Sequence, residues 1–261
     1  MDQGQWRVLH SLVVVSLLMI SSSLVHALPM NIRSVAVKDN GQEDSLQKVL
    51  GRMTSGPGIN VQDQSPYALF TDAGSDGIVA SFIIELAGYK NTNHFGIYSS
   101  TDQTKKALLF DGKDAAGEQS TVSFMDNGDI KVNGKVVASN FANTFGFYID
   151  VYGNDKKPDY TFYSEDGRNP DSAAQALIYQ GDNATTLKLP GYDPALFSDS
   201  DFIVAFEDLP LASSDEDYND LVVLVSSLSP VHTPEPSTVL LLGTGFLAMA
   251  GYGWRRQRQK Q

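Results

Sequence analysis

Seven side-chain oxygen donors crowd into one stretch of the chain. Glu207, Asp208, Asp215, Glu216, Asp217, Asn219 and Asp220 lie between two apolar runs, Phe202 to Phe206 and Leu221 to Val225. If those runs pair as strands, the acids at their facing ends meet within a few ångströms. Like charges that close raise each other's pKa unless something neutralises them. A hard cation does so, and Ca²⁺ takes roughly 6–8 oxygens at ~2.3–2.6 Å. Asp215-x-Asp217-x-Asn219 has the alternate-oxygen spacing of Ca²⁺ loops. It is not an EF-hand, because the sixth position is Asp220 instead of Gly and the twelfth is Ser226 instead of Glu. Glu207, Asp208, Asp215, Asp217, Asn219 and Asp220 are therefore the candidate metal ligands. The competing reading is an acidic, solvated turn whose side chains bond the local backbone.

The elements that must hold these acids are short strands. From Tyr67 onwards the apolar period is two. Strands are predicted over 78–86, 95–98, 107–110, 121–125, 130–132, 135–137, 144–151, 160–163, 176–179, 202–206 and 221–228, with Gly, Asn, Asp and Pro between them. Asn133-Gly134 is a strong hairpin signal. Many short strands and little helix indicate an all-β fold, an antiparallel β-sandwich of jelly-roll-like type. One short N-terminal helix is expected near Ser45 to Met53, where Leu46, Val49, Leu50 and Met53 share a face. Asp44 or Ser45 would cap it, and Ser55-Gly56-Pro57-Gly58 would end it.

Composition narrows the function classes. The chain has 19 Lys and Arg against 31 Asp and Glu. Five of those bases and two of those acids lie in the terminal segments, which leaves 14 bases against 29 acids over residues 28–230, a net charge of −15. Such a surface argues against nucleic acid as a partner. With no Cys, disulfides, thiolate metal sites and Cys nucleophiles are excluded. His94 is the one histidine outside the terminal segments. No metalloprotease His pair, Gly-x-Ser-x-Gly elbow or Gly-x-Gly-x-x-Gly loop occurs. The domain is read as non-catalytic. A glycoside hydrolase or lyase, needing only two carboxylates, is the least favoured alternative.

Other groups have milder readings. Tyr98, Tyr148, Tyr152, Tyr160 and Tyr163 are cross-strand core pairs, or else the face of a module that binds exopolysaccharide. Asp126 to Asp129 reads as a turn. Asp72 to Asp76 reads as a loop near a cation site, and Glu85 as one further ligand at a strand end. Glu165, Asp166 and Asp171 read as a solvated loop.

Both ends carry targeting signals. Arg7 and His10, the apolar run Leu12 to Ile20 and Val25-His26-Ala27 read as a secretory signal peptide over residues 1–27. Residues 28–66 form an N-terminal segment holding the short helix, residues 67–229 the sandwich domain and residues 230–261 a tail. In that tail Pro234-Glu235-Pro236 ends the domain. Ser237 to Gly253 follows without a charge, and ~25 Å of helix is just enough to cross a bilayer core. Trp254 suits the interface, and Arg255, Arg256, Arg258 and Lys260 stay cytoplasmic.

Pro-Glu-Pro, apolar span and Arg cluster in that order resemble the PEP-CTERM sorting signal of Gram-negative bacteria. The resemblance implies recognition by an exosortase-type sorting enzyme, a transient stay in the inner membrane, removal of the tail, and delivery to the cell surface or an extracellular, biofilm-type matrix. A second resemblance rests on Glu85-Leu-Ala-Gly, Phe95-Gly-Ile-Tyr98, Phe145-Gly-Phe-Tyr148, Thr161-Phe-Tyr-Ser164, Ala205-Phe-Glu-Asp-Leu209 and Asp217-Tyr-Asn-Asp-Leu221. These are similar to domain-of-unknown-function family 4114, over roughly residues 45–226. Leu-Ala-Ser-Ser stands where that family has a Gly-rich spacer. The family implies an exported β-domain and brings no activity with it.

Overall fold

The computed structural model describes residues 35–39, 41, 43–73, 78–84, 92–153 and 156–231, with only the backbone given for 79–84. The signal peptide, Glu85, most of the Asp72 to Asp76 loop and the sorting tail with its span at 237–253 lie outside the described residues. Among the described residues no helix is long and apolar enough to cross a membrane.

Among the described residues an α-helix, α1 (Leu46–Met53), precedes β1 (Thr54–Ser55), β2 (Phe70–Asp72), β3 (Ile78–Ile84), β4 (Asn93–Ser99), β5 (Asp102–Phe110), β6 (Gln119–Phe124), β7 (Ile130–Val132) and β8 (Lys135–Ala138). Then come β9 (Phe145–Tyr152), β10 (Pro158–Tyr163), β11 (Ala176–Gln180), β12 (Thr186–Leu187), β13 (Ala195–Leu196), β14 (Phe202–Phe206), β15 (Leu221–Ser226) and β16 (Leu228–Pro230). All pairings are antiparallel. One large sheet runs β16-β2-β9-β4-β5 with β10 also on β9, and the other runs β11-β14-β15-β3-β6-β7-β8. A small sheet, β1-β12-β13, was not foreseen. Its two-residue strands are too short to show a period.

The two large sheets share one apolar core, with Phe70, Phe95, Phe145 and Phe147 from one and Val204, Phe206, Val223 and Val225 from the other. A second cluster lies on the opposite face of β14 and β15. There Ile203, Ala205, Val222 and Leu224 pack with Tyr218 and with Leu46 and Leu50 of α1. Both faces of these two strands are thus covered, which is why they read as continuous apolar runs instead of alternating ones. The amphipathic α1 is short, and its apolar stripe belongs to that second cluster, so tertiary packing supplies its stability.

The structure refines two expectations and corrects a third. Asn133 (φ +50°) and Gly134 (φ +77°) are both left-handed, as a type I′ hairpin turn between β7 and β8 requires. The strand expected over 221–228 breaks at Ser227 (φ +67°), and β15 and β16 enter different sheets. Glu165 and Asp166 are buried and do not sit in a solvated loop; Glu165 Oε2 accepts the Tyr98 hydroxyl at 2.6 Å and pairs with Arg168. Only Asp171 of that trio is exposed.

The two Phe-Gly-x-Tyr segments explain each other. Gly96 pairs with Tyr148, and Tyr98 pairs with Gly146, across β4 and β9. Each ring lies over the partner strand's glycine. A Cβ at Gly96 would stand 2.8 Å from the Tyr148 ring, and one at Gly146 would strike the Tyr98 ring. Tyr98 and Tyr148 are buried, so they are core pairs and not an exposed sugar platform. Gly146→Ala is expected to lower stability by ~1–3 kcal/mol through overpacking, seen as a lower urea midpoint at unchanged slope. An unchanged midpoint would show that the Tyr98 ring yields freely.

Candidate functional site

The β14–β15 hairpin ends on the pair Phe206–Leu221, so Glu207 leaves one strand where Asp220 enters the other. The Asp208 N–H donates to Asp220 Oδ2 at 2.9 Å. From the facing sheet, Asn93 at the start of β4 donates through Nδ2 to Asp208 Oδ2 at 3.0 Å. The Tyr218 N–H donates to Glu207 Oε1 at 2.6 Å. Asn219 serves Asp217 twice, from its N–H to Oδ1 at 3.2 Å and from Nδ2 to Oδ2 at 2.7 Å.

The loop between the strands is shaped by alternating conformations. Glu216 (φ +58°) and Tyr218 (φ +54°) are left-handed. Glu216 pairs with Lys38 at 2.7 Å, while Tyr218 is fully buried and its hydroxyl donates to the Ala174 carbonyl at 2.7 Å. Gln175 Nε2 holds the Leu209 carbonyl at 2.8 Å.

This hairpin end brings all six sequence-predicted ligands into one loop, and five of them are buried: Glu207, Asp208, Asp217, Asn219 and Asp220. Asp215 stays partly exposed. Four buried carboxylates with only neutral donors among the described groups around them carry a large desolvation cost. Burial pushes Glu207 up to about 7, and repulsion from Asp215 and Asp217 adds to it while the Tyr218 N–H opposes it. Burial lifts Asp217 to about 7, with Asp215 as the next cause. Asp220 reaches about 9 through burial and then through repulsion from Asp208 and Glu207. Asp208 is raised too, mainly by burial.

A cavity of about 240 Å³ opens on this group, lined by Glu43, Glu207, Asp208, Leu209, Ser213, Ser214, Asp215 and Asp220. Glu207 is 0% exposed, yet its Oε2 has no hydrogen-bond partner. Ser214 Oγ lies beside that carboxylate without making a bond of proper geometry. Glu43, Asp215 and Asp217 each place a carboxylate oxygen within 4.8 Å of the others. Oxygens so spaced can share one hard cation.

Two members of the group, Glu43 and Asn93, carry no local sequence signal for it. Glu43 stands just before the helix, where acids usually signal a helix start. Asn93 is one polar residue in Asn91-Thr92-Asn93 and carries no motif. Elsewhere, Asn127 and Asp129 form the expected turn, with the Asp129 N–H donating to Asn127 Oδ1 at 3.0 Å. His94 lies against Tyr152, ring centres 4.5 Å apart, and does not line the cavity.

Comparison with known families agrees with the two resemblances in the sequence. Residues 133–227 match the model of the family described as Domain of unknown function (DUF4114). The match begins later than the expected likeness, so Glu85-Leu-Ala-Gly and Phe95-Gly-Ile-Tyr98 precede it. Residues 232–258 match the PEP-CTERM protein-sorting motif, with Pro234, Glu235, Pro236, Arg255, Arg256 and Arg258 inside the match. That motif implies export, membrane-anchored sorting and recognition by an exosortase-type enzyme. No curated protein and no solved structure matches the chain.

The raised carboxylates fix the sign of the pH dependence. The folded chain keeps protons on Glu207, Asp217 and Asp220 that the unfolded chain releases near pH 4. Stability therefore falls as pH rises from about 4 towards about 9. The lowered acids, exposed Asp39 and Asp182 and half-buried Asp102 and Asp129, act below that window. In chelator, the Tm is expected to drop by roughly 5 °C or more between pH 5 and pH 8. A level or rising Tm would contradict the burial of these acids against one another.

Proposed function

We propose that this protein is an exported, non-catalytic domain of jelly-roll-like sandwich form, in which Ca²⁺ binds the 207–220 loop and stabilises it. Residues 1–27 direct export as a signal peptide. Residues 237–253 hold the chain in the inner membrane until the sorting enzyme removes the tail beyond about Pro236. The mature protein then resides at the cell surface or in the extracellular matrix, exposed to extracellular calcium.

One observation carries the calcium reading: Glu207 Oε2 is buried, has no partner and borders a cavity whose other polar walls are Glu43, Asp208, Asp215, Asp220 and two serines. A proton neutralises one carboxylate, whereas one divalent ion neutralises several and supplies the missing partner. About 240 Å³ exceeds the ~30 Å³ of one water several times over, so an ion fits with part of its hydration. Glu207, Asp208, Asp215, Asp217 and Asp220 would hold it. Asn219 would add its buried, unpartnered Oδ1, while its Nδ2 orients Asp217. Oxygen-only ligands suit Ca²⁺ over softer metals.

If only the folded chain binds, ligand at one hundred times its Kd adds ~2.7 kcal/mol. The expected Tm increase is roughly 5–10 °C for a domain of this size. Asp208→Asn keeps the acceptor for Asn93 and removes the charge. It is expected to lose most of the calcium gain, yet be neutral or slightly stabilising in chelator, because it relieves repulsion. Melting curves of both proteins, in millimolar Ca²⁺ and in chelator, test this. Equal wild-type melting in the two buffers would leave the loop as an acidic turn only.

Replacing Pro234-Glu235-Pro236 by Ala is expected to strand the protein in the inner membrane. Recovery of intact Arg255 to Gln261 on protein released from the cell surface would refute tail removal.

A further inference from the structure

We infer that Glu43 is a ligand of the same cation site, so that Ca²⁺ binding clamps the N-terminal segment, residues 43–53, onto the sandwich; the inference rests on the calcium reading above. Glu43 lies outside the span that matches the family model, on the chain leading into α1. Its carboxylate comes within 4.8 Å of those of Asp215 and Asp217 and borders the same cavity as the unpartnered, buried Glu207 Oε2.

The segment is seated on that loop by its backbone. The Leu46 N–H, at the open end of α1, donates to the Asp217 carbonyl at 2.9 Å. Ser45 stands at the helix N-cap and makes no side-chain cap bond, so the 215–220 loop does the capping. Asn219 Nδ2 donates to the Asp44 carbonyl at 2.7 Å, and the Lys38 N–H donates to the Glu216 carbonyl at 2.9 Å. Leu46 and Leu50 then cover Tyr218 and Val222.

These contacts carry acids towards acids. Glu43 faces Asp215 and Asp217, and among the described residues no basic side chain pairs with it. Lys38 is committed to Glu216 and Arg52 to Asp44. Apolar packing draws α1 down while like charges at its leading end oppose the approach. A divalent cation shared by Glu43, Asp215 and Asp217 turns that repulsion into attraction. The same ion then joins two stretches about 170 residues apart in the chain. Helix docking and calcium affinity become linked, each strengthening the other.

Amide hydrogen exchange on the full-length protein in detergent tests the clamp, in millimolar Ca²⁺ and in chelator, alongside calorimetric Ca²⁺ titration. Peptides covering 46–53 are expected to exchange roughly tenfold more slowly with Ca²⁺, and those of the 207–220 loop likewise. Glu43→Gln should abolish the gain at 46–53, retain most of it in the loop, and weaken the Kd about tenfold, as loss of one charged ligand does. If Ca²⁺ binds and protects the loop but leaves 46–53 unchanged, or Glu43→Gln behaves as wild type, the clamp is wrong and the calcium site stands. If no Ca²⁺ binds, both readings fall.

Discussion

Burying a carboxylate is costly unless its charge is met, and this chain buries four of them in fourteen residues: Glu207, Asp208, Asp217 and Asp220. Among the described residues the surrounding groups are Asn93 Nδ2, Asn219 Nδ2, a few backbone N–H groups and the Ser214 hydroxyl beside Glu207, and no Lys, Arg or His lines the cavity. Hydrogen bonds to neutral donors each contribute modestly and leave the net charge in place. The hairpin end is thus a point of stored electrostatic free energy inside a well-packed domain, and its three means of relief are protonation, cation binding and local opening.

The rest of the architecture keeps local opening from being easy. β14 and β15 are covered on both faces, by the shared core on one side and by α1 with Tyr218 on the other. Separating the acids would expose Phe206, Leu221, Val222 and Tyr218, each fully or almost fully buried. At ~1.5–3 kcal/mol for a large apolar side chain, that packing outweighs the repulsion of a partly protonated cluster. The apolar layers hold the acids together, and the acids make the layers sensitive to whatever neutralises them.

The outer face of the other sheet solves a different problem. Tyr98 and Tyr148 cross over Gly146 and Gly96, and Lys106 sits over the Tyr148 ring, 4.3 Å from its centre, while pairing with Asp150 at 2.7 Å. Polar and aromatic groups there close on one another. Here Lys106 and Arg168 meet the charges of Asp150 and Glu165, whereas among the described residues no basic side chain lines the cavity at the hairpin.

The sequence by itself determined what depends on local rules. Apolar patterning located the longer strands but not β1, β2, β12 or β13, Asn133-Gly134 located a turn whose two positive φ angles few other residues adopt easily, and spacing found the apolar face of α1. The acidic cluster was legible because its members are close in the chain and the flanking runs had to pair. Local rules could not reach Glu43 and Asn93, which join the cluster from sequence separations of well over one hundred residues. They could not tell that Glu165 is buried, since that follows from a tyrosine and an arginine meeting over it. Nor could they show that β15 and β16 part at Ser227, because an apolar run looks the same whichever sheet its residues join. Periodicity records which side of a strand is apolar; only the packing of distant strands and the helix decides what that side meets.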